Sequence, residues 1–135
     1  MIKQFIERAE VEMMTASILS ENYSDDVRYN NIIADHVSCS VDMVIRFILR
    51  CHGIGFAPAR QGITPMTIVA DYNNIDLMLP EDIISCIHLL DLWNLSARAD
   101  LTLDVSIDEC IVVLDALPDY INKARETYYY VLEQI

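Results

Sequence analysis

Histidine and arginine are the side chains through which this chain could do acid–base and anion chemistry. The imidazole trades a proton near neutral pH, and the guanidinium offsets the charge that builds on phosphate. Arg46 and His52, with five residues between them, are the candidate pair in this chain. On an ideal helix they lie about 240° apart and do not share a face. The competing reading is a basic helix end that complements the helix dipole. A third cation, Arg98, sits in the run L-W-N-L-S-A-R-A-D from Leu92 to Asp100. A guanidinium in such a turn can bind a nucleotide or phosphate anion. It can equally brace the turn against Asp100 and Asp104.

Other reactive side chains are sparse. His36 and Cys39 stand three apart, and Cys86 and His88 two apart. The first pair could share a metal across one helical turn, but no second pair with ligand spacing follows it. No metal site and no cofactor is expected. The four cysteines, at 39, 51, 86 and 110, form no CxxC and sit among apolar neighbours, so they read as reduced core thiols. No glycine-rich phosphate loop and no Ser–His–Asp arrangement is visible.

The net charge of −12 narrows the partners. Residues 1–53 hold five basic and eight acidic side chains, and residues 54–135 hold four and thirteen. No Lys or Arg occurs between Gln61 and Ala97. Such a surface repels a nucleic-acid backbone. It either keeps the protein dispersed in water or meets a basic partner protein. No apolar run reaches the ~18 residues of a membrane span, and the first ten residues lack the apolar block of a signal peptide. A cytoplasmic protein without membrane contact is the expectation.

The elements that must position these residues read as helices. A stripe of Ile2, Phe5, Ile6, Ala9, Met13, Ala16 and Ser20 predicts a first helix to about Leu19. Asn22 to Asp26 is turn chemistry. A second helix, from about Arg28 to Cys51, has Ile33, Val37, Val41, Val44, Ile45, Ile48 and Leu49 as its apolar face and Gly53 as its stop. Two long helices with a short join pack as an antiparallel hairpin. Thr64-Pro65 opens a short helix ending near Tyr72. Pro80 opens another, running to about Leu95. Ser106 and Glu109 form a capping box for the last helix. That helix carries Cys110, Ile111, Leu114, Leu117, Ile121, Ala124, Tyr128 and Val131 on one stripe, with a kink at Pro118. The expectation is one all-α domain over residues 1–135, an up-and-down four-helix bundle with one extra short helix. Trp93 and the run Tyr128, Tyr129, Tyr130 are its aromatic interface candidates, although the same side chains can pack a core.

The order of elements resembles the HEPN superfamily of small helical bundles. The resemblance rests on the N-terminal amphipathic helix, on D-H-V-S-C-S-V-D-M-V-I-R-F-I-L-R-C-H-G (Asp35 to Gly53), on the short helix at Thr64, and on the turn arginine Arg98 within Leu92 to Asp100. It implies a bundle that dimerises. The roles it implies are an RNA-cleaving toxin, a nucleotide-binding module, the partner of a minimal nucleotidyltransferase in a toxin–antitoxin pair, or an inactive interaction domain. The RNase members place a histidine after an arginine with four to six residues between them. After Arg98 those positions hold Leu103, Asp104 and Val105, none of which replaces an imidazole. Arg46 and His52 keep the spacing elsewhere and carry the endoribonuclease alternative. Arg98 carries the nucleotide-binding alternative. The leading expectation is a non-catalytic bundle that works by protein–protein association, as a homodimer and as the partner of a nucleotidyltransferase-like protein.

Overall fold

The computed structural model describes residues 1–55, 64–71, 74–97, 100 and 102–134, and its regular structure is all helical. Helix α1 spans Lys3–Tyr23, and a 3-10 turn at Val27–Tyr29 leads into α2, Asn30–Cys51. Then follow α3 (Pro65–Asp71), α4 (Glu81–Ile84), α5 (Ile87–Ser96), α6 (Ile107–Thr127) and α7 (Tyr129–Glu133). None of these helices is long and apolar enough to cross a membrane.

The seven apolar residues assigned to the second helix are all buried, and α2 goes further. From Ser40 to Leu49 only Met43 keeps partial exposure. Helix α1 lies along one side of α2, α6 along another and α5 along a third. The approach of α1 is close because small residues meet there. The Ser40 hydroxyl donates to the Ala9 carbonyl at 2.7 Å, with both residues fully buried. Arg125 of α6 reaches back to Glu10 of α1 and ties those two helices at the rim.

Several helix ends differ from expectation. Helix α1 continues one turn past Leu19, because Asn22 donates its side-chain amide to the Ile18 carbonyl and Tyr23 stacks on Tyr29 at 4.1 Å. The helix expected from Pro80 to Leu95 breaks at Ser85–Cys86. The Ser85 hydroxyl bonds the Asp82 carbonyl at 2.9 Å, a local alternative to the helix ladder, and Cys86 leaves the helical region. The last helix passes through outward-facing Pro118 but breaks at Tyr128. Ser106 stands at the N-cap of α6, yet its side chain makes no cap bond. Thr64 does cap α3, accepting from the Thr67 amide at 3.4 Å.

Gly53 ends α2 as a Schellman motif. Its amide bonds the Arg50 carbonyl at 3.0 Å, and the Ile54 amide reaches Leu49 at 2.9 Å. Gly53 has φ +77°, a region that a Cβ disfavours. A Cβ there would meet nothing within 4 Å, so backbone strain is the sole cost. Gly53→Ala is therefore expected to lower stability by about 1–2 kcal/mol in urea unfolding. An unchanged midpoint would show that the cap does not set the helix end.

Candidate functional site

The end of α2 carries three of the sequence candidates. Arg46 points inward, 5% exposed, and gives its Nε to Asp42 Oδ2 at 2.7 Å. The pair is i,i+4 on one helix and is closed off from water. Burial pushes the Asp42 carboxyl up, and the adjacent guanidinium opposes that rise. His52 lies at the helix C-cap and is exposed. Its Nε2 lies 2.8 Å from the Tyr128 hydroxyl, and the two rings meet edge-on at 5.7 Å. Arg46 and His52 thus have different partners, one in the core and one on the rim.

Tyr128 is the hinge of this corner. Its ring packs edge-on against Phe47 at 6.0 Å and is 7% exposed. Trp93 is also buried, at 1%. Both side chains are turned into the core. Of the aromatic interface candidates, Tyr129 and Tyr130 are the two that stand open to solvent. Arg98, with Ala99, lies outside the described residues. Asp100 is described: its carboxylate accepts from the amide and hydroxyl of Thr102 at 3.0 and 2.6 Å, which pulls its pKa down. Asp104 is exposed in the connection and Asp108 opens α6, so the three aspartates form no helical ridge.

A polar cluster between α1 and α2 brings His36 to Arg8 and Glu12, a grouping that spacing along the chain does not show. Glu12 is 5% exposed, and it takes Arg8 Nε at 2.7 Å and a short contact from His36 Nδ1. Burial works to raise the Glu12 carboxyl. The hydrogen bonds and charges of His36 and Arg8 outweigh it, and the carboxyl sits below its ordinary value. His36 is thereby committed to Glu12 rather than to a metal shared with Cys39. His88 is exposed while Cys86 is buried, which separates the other pair. Among the described residues no three His, Cys, Asp or Glu side chains are placed to hold a metal ion. All four cysteines are free, two buried and two half-buried. Burial pushes Cys39 up to about 12, Cys51 to about 11 and Cys110 to about 12, so these thiols stay protonated and are poor nucleophiles.

Two open grooves lie on the described surface. One, of about 780 Å³, runs between residues 74–80 and α6, with Tyr120 and Lys123 on its wall. Tyr120 anchors it by donating its hydroxyl to the Leu77 carbonyl at 2.8 Å. The next residue, Met78, has φ +55° and sits in the same wall. The other groove, of about 600 Å³, lies between α1 and α2, with Phe5, Val11 and Met43 as floor and Arg8 and Arg50 at its edges. Arg50 also covers the Phe5 ring, 5.4 Å from its centre. Neither groove gathers a nucleophile, a base and an anion-binding pair. Comparison with protein-family models, with curated proteins and with solved structures finds no match.

The Glu12 cluster makes a pH-dependent contribution to stability. A carboxyl held low in the folded state stabilises fully above the ordinary glutamate value of 4.5. The contribution fades as pH falls through the lower folded value. The wild-type chain is expected to exceed Glu12→Gln in stability by about 1–3 kcal/mol at pH 7. That gap should narrow on acidification below the ordinary glutamate range. Urea unfolding across a pH series measures it, and a gap constant with pH would refute the assignment.

Proposed function

We propose that this chain is a non-catalytic, HEPN-like four-helix bundle that acts by protein–protein association, as a homodimer and as the partner of a minimal nucleotidyltransferase. The observation that carries the association is an apolar stripe facing outward on α1. Val11, Met14 and Ile18 are 57%, 53% and 57% exposed, at steps of three and four residues. A helix that already buries Ile6, Ala9 and Ala16 against its neighbours has no need of a second apolar face. A contiguous apolar patch on a folded chain is the ordinary mark of an interaction site.

The non-catalytic part of the reading is supported by the separate surroundings of Arg46 and His52. A guanidinium enclosed beside Asp42 is poorly placed to meet a phosphate, and His52 is engaged with Tyr128. The HEPN likeness rests on the helix from Asp35 to the Gly53 stop and on the residues before Arg98. The nucleotidyltransferase partner follows from that likeness, and the excess of acidic side chains suits a partner with a basic face.

Two measurements test the reading. Sedimentation equilibrium should return a mass that rises above 15.4 kDa with concentration. Incubation with total RNA should leave the RNA intact. Cleavage abolished by His52→Ala would replace this proposal with the endoribonuclease alternative.

A further inference from the structure

The groove between α1 and α2 holds a cation that the rest of the fold leaves without a counter-charge. Among the described residues, Lys3, Arg8, Arg28, Arg46 and Arg125 each meet a carboxylate. Among the same residues, Arg50 and Lys123 meet none. Lys123 stands exposed on α6, whereas the head of Arg50 is held. Its guanidinium carbon lies over the Phe5 ring, 5.4 Å from the centre. A Cβ added at Gly55 would come within 3.0 Å of that same carbon, so the guanidinium also lies against the Gly55 backbone. A guanidinium fixed in place without a carboxylate, in a chain of net charge −12, points to an anion from outside.

The surroundings of Arg50 define the kind of anion. The groove, of about 600 Å³, is of small-molecule size. Phe5, Val11 and Met43 give it an apolar floor, and the flexible thioether of Met43 can adapt to what lies on it. The other charges on its lining are already met, Glu7 by Lys3 at 3.5 Å and Arg8 Nε by Glu12 at 2.7 Å. One cation is left over, which balances a monoanion rather than a phosphate dianion. A flat guanidinium takes a carboxylate through two parallel N–H bonds. We infer that this groove binds a small amphipathic carboxylate, its head on Arg50 and its apolar body across Phe5, Val11 and Met43. The site is complete within one chain and stands apart from any association.

Decanoate is the probe, and decanol, the same chain without the charge, is its control. Isotope-labelled methionine methyl groups report the place of binding by NMR, because Met43 lies in this groove and Met78 in the wall of the other. At neutral pH and below its micelle concentration, decanoate is expected to shift the Met43 methyl to saturation and to leave Met78 unmoved. Decanol should bind about tenfold more weakly or worse. Arg50→Gln should weaken decanoate by a similar factor and bring it level with decanol. Val11→Glu, which sets a carboxylate on the groove floor, should weaken decanoate more than decanol. Arg50 and Val11 are both exposed, so the two variants keep the fold, which circular dichroism verifies. A Met43 methyl that does not move, or equal shifts at Met43 and Met78, would overturn the site. A folded Arg50→Gln variant with wild-type affinity would overturn the carboxylate anchor. Decyl phosphate binding more tightly than decanoate would overturn the choice of a monoanion.

Discussion

Helix α2 is enclosed on nearly every side from Ser40 to Leu49, and the rest of the fold follows from that enclosure. Any polar group in the segment must find its partner within the protein, since an unpaired buried charge is far more costly than a paired one. Ser40 therefore donates to α1, and Arg46 Nε pairs with Asp42 Oδ2 one turn away. Burying a salt bridge contributes little net stability.

The helical class and the place of each long helix were legible because apolar residues recur at the helical period. Every residue assigned to the inner face of α2 is buried. The extent of that burial was not legible. A periodic reading assumes one dry face and one wet one, and it leaves Ala34, Ser38, Ser40, Asp42, Arg46 and Phe47 unassigned. The breaks at Cys86 and Tyr128 were hidden for a related reason. Ile83, Ile84 and Ile87 continue the apolar rhythm across the first, and Tyr128 and Val131 continue it across the second. What interrupts each helix is a side-chain bond or an aromatic corner that exists only in three dimensions.

The candidate site was less legible still. Spacing paired Arg46 with His52 and His36 with Cys39, because those residues are neighbours in the chain. The folded partners lie elsewhere: His36 with Glu12, 24 residues away, and His52 with Tyr128, 76 residues away. One signal was available. Glu12 falls on the same helical stripe as Ala9 and Ala16, and a carboxylate on a buried stripe must have a cation facing it. The outward stripe of Val11, Met14 and Ile18 has the same three-and-four spacing as the inward one, and spacing alone does not tell which of the two faces the core.

The 76-residue separation between His52 and Tyr128 has a consequence for biosynthesis. A ribosome adds about 5–20 residues each second, so α2 leaves the exit tunnel about 4–15 s before the end of α6. Helix α1 can fold onto it at once, because their contact is local. The surface destined for α6 stays bare through most of that interval and is open to whatever else is nearby. Slower translation of the second half would lengthen the exposure, and a nascent-chain chaperone would find its binding site on α2.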